Sequence, residues 1–232
     1  MMKNRISNLT YFKRTLIMLG LIFVVIFVQT PIQILSIIHH PSIISLVVGG
    51  VIYLVFFGFA IWGALIAYKS VYKQTNHGLN LKDWLLIAKA YVLFFVIEIV
   101  LSFLNQLVYA QKTTENNKNI MAILHANPVI LILMCFTMTF FSPILEELVF
   151  RGYLIKGFFP NFKPLIPMLI SGFLFSLCHD NSNPISFLIY MSLGMILSYV
   201  YLKQDKIEVS IGLHFLNNLI ATTLMLIGML IG

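Results

Sequence analysis

Charge is what this sequence has least of: 10% of its 232 residues are Asp, Glu, Lys or Arg, with eight acids against 15 lysines and arginines. A soluble domain carries about 25% charged and about 45–50% apolar residues, whereas 59% are hydrophobic here and the mean hydropathy is +0.94. No water-soluble fold covers that much apolar surface, so lipid is the solvent to reason with. Cysteine is scarce as well. Cys135 and Cys178 lie in apolar runs without metal-type spacing, which excludes a disulfide framework or a zinc finger and leaves both as packing residues. Internal repeats and low-complexity tracts are missing, and the longest polar interval, Gln111–Asn119, reads as a loop. Neither a G-x-S-x-G elbow nor an H-E-x-x-H helix occurs, which argues against serine hydrolase and ordinary zincin chemistry.

What is present is a series of apolar runs near the ~20 residues a helix needs to cross a hydrocarbon core. They fall at Thr15–Ile38, Pro41–Tyr68, Trp84–Ala110, Pro128–Phe159, Pro164–His179, Pro184–Leu202 and Ile207–Ile231. The expected fold is an all-α, polytopic transmembrane helix bundle of about seven (seven to eight) helices. It forms a single membrane domain over residues 1–232, with a motif-bearing core at 128–232. The first run follows Lys3, Arg5, Lys13 and Arg14 but is too long for a signal peptide and lacks a small-residue cleavage site, so it reads as an anchor. Alternating the seven runs puts 13 of the 15 basic residues on one side and leaves Lys112 and Lys118 on the other. The positive-inside rule then places the N-terminus in the cytosol and the C-terminus outside a cell membrane. The formal charge of +7 is accordingly a topology signal rather than a nucleic-acid footprint, and the lipid bilayer is the partner it implies.

A charge near the bilayer centre costs at least ~2.5–3.5 kcal/mol on insertion scales, so intramembrane acids and bases are functional candidates. Glu146, Glu147, Arg151, His179 and His214 qualify, and Glu98 stands in the middle of the third run. In FSPILEELVFRG, Phe141 to Gly152, the spacing separates the two adjacent glutamates. Glu147 and Arg151 are four apart and share a helix face, so they pair within the helix. Glu146 points about 100° away at ~3.6 residues per turn and has no local cation. The plain alternative is a structural ion network between helices.

His179 closes FSLCH, Phe175 to His179. The midpoint between positions 146 and 179 falls at the turn around Phe159–Pro164, so in an antiparallel hairpin both residues sit at equal depth, about 23–25 Å from that turn at ~1.5 Å per residue. Glu98 falls at a similar depth and is a possible neighbour. In HFLNN, His214 and Asn218 are four apart and project from one face, either as ordinary interhelical glue or as donors to a developing oxyanion. Asn217 points elsewhere and reads as packing, while His39, His40, His77 and His125 fall at ends or loops as solvated histidines.

These parts suit water-mediated acyl transfer. Glu146 is the general base toward a water also held by His179, and His214 with Asn218 faces the oxyanion. Arg151 holds Glu147 and so the local geometry. No cofactor is required in this reading, but zinc stays open, with Glu146, His179 and His214 as a two-histidine, one-carboxylate set.

The same residues resemble a known family. EELVFR matches the E-E-x-x-x-R motif of the CAAX-protease and bacteriocin-processing (CPBP, Abi) family of intramembrane proteases, related to the Ras-converting endopeptidase. FSLCH matches its F-x-x-x-H motif, which adds Phe175 as a supporting residue, and HFLNN matches its H-x-x-x-N motif. All three occur in the family's order across residues 146 to 218. The resemblance implies an intramembrane endopeptidase in which Glu146 and His179 activate water and His214 and Asn218 form the oxyanion site. It also implies a peptide or small membrane-protein substrate, as in peptide pheromone, bacteriocin or leader processing, or self-immunity, in a bacterial plasma membrane. The family has been described both as metalloproteases and as metal-independent glutamate proteases. Two other readings compete: a non-catalytic membrane scaffold or bacteriocin-immunity protein of the same fold, and a proton-coupled transporter using Glu98, Glu146 and Glu147.

Overall fold

A computed structural model describes residues 9–75 and 78–231; Lys3, Arg5 and His77 lie outside the described residues. Every regular element among the described residues is helical. In chain order these are α1 (Tyr11–Phe27), α2 (Thr30–Ser36), α3 (Ile43–Val71), α4 (Leu81–Tyr109), α5 (Glu115–Leu124), α6 (Pro128–Phe158), α7 (Leu165–Leu177), α8 (Pro184–Gln204) and α9 (Ile207–Ile231). Their starts are written in the sequence. Asn127 and Asn183 each accept from backbone N–H groups of the following turn, with Pro128 and Pro184 next in line. Asn80 and Asp83 form a reciprocal capping box on α4. Such caps satisfy donors that a helix start would otherwise leave orphaned.

Among the described residues six helical stretches are long and apolar enough to cross a membrane: α1 with α2, α3, α4, α6, α8 and α9. The fifth expected run, Pro164–His179, is helical but short. With 13 residues, α7 reaches about 20 Å, less than a ~30 Å hydrocarbon core. Its end is fixed by Asn181, whose Nδ2 donates to the Ser176 and His179 carbonyls at 2.6 and 2.7 Å. A second departure from expectation is α5, an amphipathic helix beginning within the interval read as a loop. Thr114 caps it by accepting from the Asn117 N–H.

The centre of the bundle is α6 and α8, with 44% and 50% of their apolar windows enclosed against 11–22% for the other long helices. The outward faces of those helices carry exposed residues such as Phe12, Ile43 and Leu107, as a lipid-facing surface requires. Close packing of α7 on α8 rests on Gly172 and Gly194. A Cβ on Gly172 would lie 2.8 Å from the Met191 carbonyl oxygen, and one on Gly194 would lie 2.8 Å from the Gly172 Cα. Small residues of this kind let membrane helices approach backbone to backbone.

One end of the bundle, formed by residues 72–75, 78–80, 159–164 and 205–206, is knotted by charge. Lys156 pairs with Asp205, which also accepts from the Tyr72 hydroxyl. Lys206 and Asp83 form a buried pair at 2.8 Å. Arg14, counted above with the basic flank of the first run, is buried, and its Nη1 donates to the Gly157 carbonyl at 2.7 Å. The opposite end, formed by residues 37–42, 110–127 and 178–183, carries α5.

Candidate active site

Helix α6 positions both motif glutamates, and it does so with an altered winding. Two of its stretches, Thr137–Phe141 and Leu148–Ile155, are π-helical and flank Glu146 and Glu147. A π segment inserts a residue into the helical register and frees backbone groups for other partners. The Met138 carbonyl in the first stretch accepts from Asn218 Nδ2 at 2.9 Å, which ties α9 to α6 beside the glutamates.

Glu147 is fully buried, and its Oε1 accepts from Arg151 Nη1 at 2.8 Å, as the four-residue spacing predicts. The same oxygen lies 2.9 Å from His214 Nδ1. A carboxylate can only accept, so this imidazole nitrogen carries the proton and Nε2 is left to face elsewhere. Arg151 also donates through Nη2 to the Gly194 carbonyl at 2.9 Å, and its guanidinium lies 4.6 Å from the centre of the Phe175 ring. Phe175 is wholly buried; its ring meets His179 at 4.5 Å and the edge of His214 at 5.6 Å. The motif phenylalanine is thus the surface on which the arginine and both imidazoles rest.

Glu146 faces the other way. Its Oε2 is buried without a hydrogen-bond partner, and the nearest base is His214 Nε2 at 4.0 Å. His179 directs Nδ1 to the Phe175 carbonyl at 2.8 Å, so its Nε2 keeps a free lone pair. Glu146, His179, His214 and Asn218 all line one cavity of about 470 Å³. Glu98 of α4 lines it too, along with Gln29, Gln33, Asn217 and, toward the α5 end, Lys112, Asn117 and Asp180. None of the residues at the charge-knotted end lines it.

Three features were not read from the sequence. Tyr190 stacks on the His179 ring at 4.4 Å, and its hydroxyl bonds Thr114 at 2.8 Å, linking α5 to the imidazole. Its only signal was a tyrosine in an apolar run. Asn217, expected as packing that points elsewhere, lines the cavity and donates to Asn218 Oδ1 at 3.3 Å. Gln29 accepts from the Tyr53 hydroxyl at 2.6 Å; a glutamine four residues from Gln33 in an apolar run was a visible clue.

Among the described residues no group of three or more His, Cys, Asp or Glu side chains is arranged to hold a metal ion. Glu146 and His214 approach each other, but His179 does not join them as a third ligand. Cys178 lines the cavity as a free thiol.

A polytopic membrane protein with a free carboxylate and two oriented imidazoles around one intramembrane cavity is what these observations define. Residues 128–220 match the family described as type II CAAX prenyl endopeptidase Rce1-like, so the family resembled by the three motifs is the one found over the motif-bearing part of the chain. Two curated relatives match more widely. The chain is 27% identical over 143 residues to "Membrane-embedded CAAX protease MroQ" of Staphylococcus aureus, covering 58% of this chain and 54% of that protein. It is 27% identical over 188 residues to "Uncharacterized protein YyaK" of Bacillus subtilis, covering 76% of this chain and 60% of that protein. The chain thus spans a little over half the length of these curated relatives. No solved structure matches.

Proposed function

We propose that this protein is an intramembrane endopeptidase that hydrolyses a peptide or small membrane-associated protein with water activated by side chains. The observation that carries the reading is the single cavity shared by Glu146, His179, His214 and Asn218. Glu146 has no competing ion pair with Arg151, which is engaged by Glu147 and Gly194. It takes a proton from water while His179 Nε2 accepts the water's second hydrogen. The water oxygen bonds to the scissile carbonyl carbon. The resulting oxyanion accepts from the Asn218 amide and sits against His214 on its Nε2 side, a well-placed donor contributing about 2.7–4 kcal/mol. Collapse breaks the C–N bond, and Glu146 passes its proton to the leaving amine. One Asn218 amide hydrogen is committed to the Met138 carbonyl, which aims the second. Glu147 and Arg151 orient His214 rather than touch substrate.

The substrate reaches the site from the end that carries α5, because the cavity is lined there and not at the charge-knotted end. With the basic loops in the cytosol, that entrance faces outside a bacterial plasma membrane. A pheromone, bacteriocin or leader peptide presented at the outer surface suits it.

The test uses purified protein in lipid nanodiscs and a library of quenched fluorogenic peptides. Glu146→Gln and His179→Ala are expected to slow cleavage by about 10²–10⁴-fold each, the usual worth of a positioned acid or base. Cleavage at the wild-type rate by Glu146→Gln overturns the proposal. A strong zinc chelator is expected to leave the rate unchanged; loss of activity restored by added zinc would assign the water to a metal.

A further inference from the structure

Six of the eight acids are bonded to a partner. Asp83 pairs with Lys206, Asp205 with Lys156, Glu147 with Arg151 and Glu115 with Lys118. Glu208 accepts from Gln74 Nε2, and Asp180 accepts from Asn119 Nδ2. Glu146 and Glu98 are the exceptions, and both line the same cavity. Among the described residues no cation lies within 4.0 Å of Glu98, and it makes no hydrogen bond. An acid in the middle of an apolar span is costly to keep without compensation, and the mechanism above gives this one no task.

Its position supplies a task. Helix α4 packs on α8 and α9, which carry Tyr190 and the His214–Asn218 stripe of the same cavity. Tyr190, whose ring stacks on His179, lines the same cavity as Glu98. Among the described residues Lys112 is the only lysine or arginine that lines the cavity, and it is not bonded to Glu98. A carboxylate left open in a chamber built to take a polypeptide is complementary to a cation carried in by that polypeptide.

We propose that Glu98 is a specificity residue that receives a lysine or arginine side chain of the substrate close to the cleaved bond. The proposal rests on the endopeptidase reading of the cavity. A cationic side chain brings its own counter-charge for Glu98 and binds there through a charge-assisted hydrogen bond. A neutral side chain at the same position leaves the acid uncompensated.

The experiment compares peptides that are identical except for one scanned position carrying Lys, Arg, Gln or Glu. Cleavage by the full chain in nanodiscs is read by fluorescence, and the cut bond by mass spectrometry. At the position that meets Glu98, the wild type is expected to prefer Lys or Arg over Gln by about tenfold or more in kcat/KM. Glu98→Gln brings that ratio close to one, and Glu98→Asp keeps most of it. The same pairs are measured for binding to the Glu146→Gln protein and the Glu98→Gln/Glu146→Gln protein, by fluorescence anisotropy without turnover. Binding that prefers Lys in the first and not in the second supports the role of Glu98 even if wild type cleaves nothing, in which case only the endopeptidase reading falls. Equal ratios with and without Glu98, in both cleavage and binding, overturn the proposal. So does Lys112→Gln removing the preference as completely as Glu98→Gln, since the acid would then serve the chain's own lysine.

Discussion

The two ends of this bundle use the same costly ingredient, buried charge, in opposite ways. At the basic end each charge named there has a fixed partner: Asp83 with Lys206, Asp205 with Lys156, and Arg14 with the Gly157 carbonyl. Toward the other end, two acids stand open in a cavity. The boundary runs between adjacent residues. Glu147 belongs to the closed network through Arg151 and His214, and Glu146 belongs to the cavity. Satisfied charge specifies the structure there, while unsatisfied charge is held ready for a reactant.

The largest test of that contrast is Arg151→Met. It leaves the Glu147 carboxylate buried without its cation, held by His214 alone, and removes the guanidinium from the Phe175 face, so stability should fall by about 3–5 kcal/mol. Thermal unfolding in detergent measures this, and a loss under about 1 kcal/mol would erase the distinction between the two glutamates. A smaller effect is expected for Gly172→Leu. The new side chain collides with the Met191 carbonyl and forces α7 from α8, at a cost of about 1–3 kcal/mol. Because Arg151 leans on the Gly194 carbonyl at that contact, the same variant should also lower cleavage. The smallest effect sharpens the comparison most. Glu146→Gln removes a carboxylate with no fixed counter-charge, so the folded bundle should lose less than about 1 kcal/mol, or gain, while activity is lost. A fall comparable to that of Arg151→Met would show Glu146 to be another structural charge.

Much of this arrangement was legible because helices repeat. The pairing of Glu147 with Arg151 follows from four-residue spacing, and the shared cavity of Glu146 and His179 follows from equal arm lengths about one turn. The all-helical bundle follows from composition. What escaped was set by contacts distant in sequence. Wide winding in α6 depends on neighbours such as Asn218, which takes up the Met138 carbonyl. The early end of α7 depends on Asn181 folding back, a polar residue that reads as an ordinary loop. Tyr190 gains meaning only when α5 brings Thr114 to its hydroxyl, and α5 begins in an interval too polar and too short to announce a helix. Arg14 looked like a flanking charge until Gly157 came to meet it.

The wide turns of α6 separate a shortening the helix absorbs from one it does not, a difference that composition would never notice. Deleting one residue from the regular stretch Pro128–Phe136 leaves hydropathy and span length nearly as they were, yet it swivels one half of the rod by about 100° against the other, whereas the same deletion in Thr137–Phe141 removes the extra residue of the wide turn and keeps both halves in place. After the first deletion, either the half that begins at Pro128 loses its seat, or the paired glutamates exchange azimuths with their apolar neighbours. The register of the acids is therefore stored as a count of residues, and a one-codon loss in the regular stretch erases it without touching any of them.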